Sequence, residues 1–226
     1  MIQPPSEMDK FKQQLRDSLS RENCHSRIIK MSKHENVYIC GDRDEMVYFI
    51  ESGHIKLLML SPEGKECLLA IYTSGDIFGE MCLSVPEGRM ETATAMEETV
   101  LKMIPADKFL SHLKSDALFE GFVQYLVTRI AEQQEAITQL VTINSERRLG
   151  KVLLQLARKL GKKDPRSLRI EHKISHEELS EMVGTTRPRI SEFMRRFLEM
   201  GLIEISMEHF LIIKEQKLME YLAEGM

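Results

Sequence analysis

The sequence predicts an α+β chain: an antiparallel β-sandwich or barrel, then one long helix, then a winged helix-turn-helix. Three observations carry this. Short runs rich in β-branched and apolar residues between residues 27 and 78 are punctuated by Gly41, Gly53, Gly64 and Gly75, spaced by 12, 11 and 11 residues. Regular strand-and-turn spacing of this kind marks an antiparallel all-β unit. Val123, Ile130, Ile137 and Asn144 then sit seven apart, with Leu126, Gln133 and Leu140 interleaved, as a heptad seam requires. Finally, Ser175 to Gly201 reads as helix, tight turn, helix, and its second helix carries four arginines.

Taken in order, Met8, Phe11, Leu15 and Leu19 recur every three or four residues and give a short amphipathic helix. The runs RIIKM, VYIC, VYFI, HIKLLML, CLLAIY and DIF follow as strands, with Pro62-Glu63-Gly64 as a hairpin tip. Residues 92–95 and 100–104 supply the last strands. After Pro105 the pattern turns helical, and a long helix is expected from about Asp116 to Asn144, with polar breaks in its seam at Gln133 and Asn144. A seam lined by Val123, Leu126, Ile130, Ile137 and Leu140 between two complete domains predicts a homodimer. Next comes an amphipathic helix over 146–160, ended by Gly161 to Pro165, then a strand in LRIEHKIS.

In the helix pair, Leu179, Met182 and Val183 face a core and Gly184 suits a left-handed helix end. Thr185 or Thr186 caps the second helix, and Pro188 lies in its first turn, where a missing N–H costs nothing. Ile190, Phe193, Met194, Phe197 and Leu198 form one apolar stripe, while Arg187, Arg189, Arg195 and Arg196 occupy the other face. That is the pattern of a helix whose N-terminal residues meet base edges and whose flanks meet phosphates. LIEISMEHFLII supplies a two-stranded wing, and a last helix closes the chain.

Charge agrees with this division. The 226 residues carry a formal net charge of −4. Residues 145–200 hold 14 Lys+Arg against 8 Asp+Glu, or +6, whereas residues 1–144 hold 15 against 22, or −7. Positive charge is collected around the helix pair, where phosphates would lie. No stretch approaches the ~20 apolar residues of a membrane span. The start lacks the apolar run of a signal peptide, so a cytoplasmic protein with no membrane partner is expected. Cys24, Cys40, Cys67 and Cys82 form no CxxC pair and are expected reduced and buried. His25, His34, His54 and His112 are scattered; no metal, no nucleophile–base constellation and no P-loop is read, so the chain is not expected to be an enzyme.

SGDIFGEMCLSVPEGRMETATAM (74–96) and ISHEELSEMVGTTRPRISEFMRRFLEMGLIE (174–204) together resemble the cyclic-AMP receptor protein and fumarate–nitrate regulator (Crp/Fnr) superfamily of bacterial transcription factors. The resemblance covers about residues 20–220. It implies an N-terminal antiparallel β-roll of the cyclic-nucleotide-binding kind over 1–115, a dimerisation helix over 116–144 and a winged helix-turn-helix DNA-binding domain over 145–226. By the same resemblance, Gly79 and Glu80, with Met81 and Cys82 after them, match the phosphate-binding cassette, Arg89 its phosphate arginine, and Gln133 and Gln134 the adenine-facing positions. Glu80 and Arg89 could equally pair with each other across an empty roll. Where cyclic-AMP binders continue Arg-Ser-Ala, this chain has Arg89-Met90-Glu91. The signal is therefore expected to differ from the standard cyclic-AMP mode; no cofactor is assigned, and a cyclic nucleotide, an unrelated small-molecule effector, no effector, and a redox or haem signal stay open.

Arg187 matches the family's leading base-reading arginine, suited to a bidentate contact with guanine. Pro188 and Glu192 stand at the next two reading positions, Arg189 is a new candidate reader, and Thr185, Thr186, Ser191 and Arg195 complete the expected DNA-facing set. The implied partners are a near-palindromic double-stranded DNA, a second copy of the chain and RNA polymerase. A signal at the roll would act through the long helix, with Asn144 and Ser145 at the hinge. The rival reading is a cyclic-nucleotide sensor that regulates a protein partner through its C-terminal module.

Overall fold

The computed structural model describes residues 7–21, 25–62, 64, 66–84, 88–164 and 167–224. Cys24, Glu63, residues 85–87 of the cassette loop and Pro165 lie outside the described residues. Two compact units are formed, Met1–Gln134 and Glu135–Met226.

The first unit opens with α1 (Glu7–Leu19), followed by β1 (Arg27–Met31), β2 (Asn36–Tyr38), β3 (Met46–Ser52), β4 (His54–Leu60), β5 (Glu66–Thr73) and β6 (Ile77–Phe78). A single 3₁₀ turn (Glu80–Leu83) leads to β7 (Thr92–Ala95) and β8 (Thr99–Pro105). The strands form two antiparallel sheets, ordered β1-β8-β3-β6 and β2-β7-β4-β5. Alternation along β3 explains why its middle is buried throughout. Tyr48 and Ile50 turn inward to meet Tyr38, Ile55, Tyr72, Phe78 and Ala93 between the sheets. Val47 and Phe49 turn outward onto Phe11, Leu15 and Leu19 of α1.

The helices that complete this outer layer are α2 (Ala106–Ser115) and α3 (Phe119–Thr142). The long helix expected from about Asp116 to Asn144 is α3, which starts at Phe119 and ends at Thr142, with α2 as a separate helix before it. Asp116 caps the end of α2, and Ala117 beside it has a φ of 54°, a conformation that no helix interior accommodates. Phe109, Leu113, Phe122 and Tyr125 pack with α1 into the same cluster.

The second unit holds the last turns of α3 and then α4 (Ser145–Leu160), β9 (Gly161–Asp164), β10 (Ser167–Ile170), α5 (His176–Val183), α6 (Arg187–Glu199), β11 (Ile203–Ile205), β12 (Leu211–Ile213) and α7 (Glu215–Ala223). Its sheet runs β11-β12-β10-β9. Residues 161–164, read from sequence as a helix stop, do end α4. They then continue as a strand, because Gly161 adopts extended backbone and β9 pairs with β10. Asn144 is not the last seam residue. It is the N-cap of α4, and its side chain accepts from Arg147 N–H at 3.0 Å.

Gly184 has a φ of 68°, and a Cβ there would stand 3.1 Å from Leu140 Cδ2. Gly184→Ala is expected to cost about 1–2 kcal/mol from the left-handed backbone alone, read as a lower urea midpoint at unchanged slope.

Candidate nucleic-acid interface and roll interior

The helix pair is locally well specified. Ser175 and Glu178 form a reciprocal capping box at the start of α5, a Ser-x-x-Glu signal legible in the sequence. The chain reverses at Gly184, and Thr185 N–H bonds back to Ser180 O. Thr186 is the N-cap of α6 by backbone, but its side chain makes no capping bond; the cap expected from its hydroxyl is absent. Ile190, Phe193, Met194 and Phe197 are buried, which fixes the roll of α6 about its axis. Leu198, expected in the same stripe, is 37% exposed and lies at its edge. Met182 is half-buried.

That orientation sorts the arginines. Arg195 pairs with Glu199 at 2.7 Å, and Arg196 pairs with Glu146 of α4 at 2.8 Å and with Glu192 at 3.5 Å. Among the described residues, Arg187 and Arg189 have no acidic partner, both are exposed, and the first turn of α6 holds no acid. Arg189 lies over the Phe193 ring at 5.8 Å. Ser191 Oγ donates to Arg187 O at 3.2 Å and sits 2.9 Å from His176 Nδ1, tying α5 to this face. Two uncommitted guanidinium groups at a helix start, beside partial positive charge from free N–H groups, make an anion-seeking surface.

Behind this surface lies Arg148, which the sequence did not single out. Its Nε donates to Val183 O at 2.9 Å, and Nη1 donates to Ile143 O at 2.7 Å and Leu140 O at 3.3 Å. It therefore joins the carbonyl ends of α3 and α5. Burial, and after it the charge of Arg189, pull its guanidinium below the ordinary arginine range.

In the first unit, Arg89 and Arg129 reach the inner aromatic cluster. Arg89 is 2% exposed and lies over Tyr38, 4.2 Å from its centroid. Its Nε donates to Asp44 Oδ2 at 3.2 Å, Nη2 to Asp44 Oδ1 and to Met46 O at 2.6 Å, and Nη1 to Gly79 O at 2.6 Å. Arg129 of α3 pairs with Glu80 at 2.8 Å, donates to the Tyr72 hydroxyl and lies over that ring at 4.7 Å. Glu80 is 10% exposed and its Oε2 has no hydrogen-bond partner among the described residues. Tyr38 donates to Glu91 at 2.8 Å; burial first, then Glu91, push its hydroxyl far above the ordinary tyrosine value, so it stays a donor. Burial likewise raises Tyr48 to about 12.

Comparison with known proteins fits both halves. Residues 28–116 match the cyclic nucleotide-binding domain, and residues 147–221 match the Crp-like helix-turn-helix domain. The chain belongs to the Crp/Fnr superfamily of transcription regulators. It is 27% identical over 183 residues to the CRP-like cAMP-activated global transcriptional regulator of Mycobacterium tuberculosis, covering 80% of this chain and 82% of that one. It is 28% identical over 175 residues to the global nitrogen regulator of Synechocystis, covering 76% and 78%. Its fold is similar to that of a CooA mutant from Carboxydothermus hydrogenoformans, with a TM-score of 0.71, 27% identity and coverage of 92% and 94%.

In this Crp/Fnr regulator one of the two arrangements open for the cassette is not formed. Glu80 and Arg89 do not pair with each other; each has its own partner, Arg129 and Asp44. Gly79 is left-handed, and a Cβ on it would sit 2.9 Å from Arg89 Nη1. Met81 is exposed and Cys82 half-buried beside it, bordering a recess of about 200 Å³ with Arg43, Asp44, Glu45, Gly88 and Arg89. Gln133 and Gln134 are exposed, and the α3 residue that reaches the roll interior is Arg129. Cys40 and Cys67 are exposed and unbridged, so the burial expected of the thiols fails there.

The regulator's long helix exposes Val123, Val127, Ile130, Ile137, Leu140 and Val141. Leu126, expected in the seam, is partly buried against the core of its own unit, and Val127 beside it is exposed. No helix among the described residues is long and apolar enough to cross a membrane.

Proposed function

We propose that two copies of this transcription regulator pair along α3 and present two α6 helices to successive major grooves of a near-palindromic site, about one helical turn apart. The observation that carries this is the start of α6, where Arg187 and Arg189 are exposed and uncommitted while Arg195 and Arg196 are held by acids. Arg187 reads a base edge, and Arg189 reads a second base or holds phosphate. Thr185, Thr186 and Ser191 line the same face, and Glu192, paired weakly with Arg196, adjusts which base is accepted. The protein works in the cytoplasm, with RNA polymerase as its protein partner. A signal reaching the roll moves the reading heads through α3 and the Asn144–Ser145 junction.

The test is fluorescence anisotropy on a site selected from a random DNA pool. Specific binding should weaken on the order of a thousandfold between about 50 and 200 mM salt if some six phosphates are neutralised. A module that contacts protein instead would select no sequence, and that outcome would overturn the reading.

A further inference from the structure

The cassette arginine gives four of its five N–H groups to this chain's own atoms, and one acid takes two of them. A guanidinium has five N–H groups in a fixed fork, and its strong mode of holding a phosphate uses two of them along one edge. On Arg89 that edge, Nε and Nη2, is occupied on both sides by the Asp44 carboxylate, while Met46 O and Gly79 O accept two more bonds. Among the described residues, only one N–H, on Nη1, is left without an acceptor. Asp44 is itself held in place, because its Oδ1 accepts from Met46 N–H at 3.1 Å. The backbone locks the same arrangement: Arg89 N–H donates to Asp42 O, and Gly41 N–H to Arg89 O, each at 2.8 Å. The acid therefore arrives at Arg89 without ordering a flexible side chain.

The rest of the interior points the same way. Three carboxylates, those of Asp44, Glu80 and Glu91, stand around two guanidinium groups that already have partners. Among the described residues, Glu80 Oε2 is buried without a donor, and both guanidinium groups are already paired with an acid, so neither brings an uncommitted positive charge to an anion. Met90, next to Arg89, is exposed and carries no donor for a phosphate.

We propose that Asp44 is a specificity-determining residue that closes the roll to anions, cyclic nucleotides included, by taking the edge of Arg89 that a phosphodiester would need. This goes beyond DNA reading and does not depend on it.

The test is isothermal titration of the full-length protein with cyclic AMP and cyclic GMP, comparing the native chain with Asp44→Asn, Asp44→Ser and Asp44→Asn/Arg89→Gln. The native chain should show no saturable heat to about 1 mM, a free energy of binding weaker than about 4 kcal/mol. Removing the charge at position 44 should improve affinity at least about tenfold, and adding Arg89→Gln should abolish the gain. Asp44→Ser keeps an acceptor for Met46 N–H and serves if Asp44→Asn melts early. Micromolar binding by the native chain would overturn the proposal. So would a folded Asp44 variant that binds either nucleotide no more tightly. DNA selection by the same preparations is measured separately, so its success or failure stays distinguishable from this result.

Discussion

Ile137→Asp is expected to yield a folded monomer. Ile137 is 62% exposed and Ile130 52% in the single chain. Their neighbours along the stripe, Val127, Leu140 and Val141, are exposed as well, and neither Ile130 nor Ile137 belongs to the buried core. Burying an isoleucine contributes about 1.5–3 kcal/mol, and in a two-fold interface each residue counts twice. The aspartate also places two like charges across the seam. Dimer affinity should therefore fall by more than about a hundredfold, a change of roughly 3 kcal/mol or more. Sedimentation velocity at low micromolar concentration reads this directly. Binding to the full palindrome should fall with it, since a monomer engages a single half-site. A variant that still sediments as a dimer would place the interface elsewhere.

Arg187→Ala carries the second large effect. Its guanidinium leaves the first turn of α6 with no acidic partner among the described residues, so deletion breaks no internal ion pair and the melting temperature should barely move. Loss of one bidentate base contact removes about 1–3 kcal/mol of discrimination per half-site. Selected DNA should then be bound about as weakly as its mutated version at the affected position. Arg195→Ala makes the useful contrast: its partner is Glu199, both side chains are largely exposed, and pairs of that kind contribute little. Unchanged selectivity in Arg187→Ala would remove it from the reading set.

Much of the architecture was legible because local chemistry and tertiary packing agree. The glycine-punctuated runs became β1 to β6, and the helix pair kept its left-handed Gly184 and its buried Ile190, Phe193 and Phe197. The long helix was read from Asp116 to Asn144, whereas α3 runs Phe119–Thr142, its start set by the left-handed Ala117 and its end by a cap. Heptad spacing continues through Asn144, yet that side chain caps the following helix, and periodicity alone cannot distinguish a seam residue from a cap. The roll was harder still. Arg89 and Glu80 were legible as a motif, but their partners Asp44 and Arg129 lie 45 and 49 residues away in sequence and come together only when the sheets and α3 assemble. No periodicity marks such pairs. Arg148 escaped notice because a basic residue at the start of an amphipathic helix is ordinary until its carbonyl acceptors are seen.

Arg148 also has a mechanical meaning. Its bonds run to backbone carbonyls at the ends of two helices rather than to rotatable side chains, and Leu140 seats against Gly184 beside it. Arg148 thus works as a clip between the end of α3 and the end of α5, the helix whose turn at Gly184 leads into the reading helix.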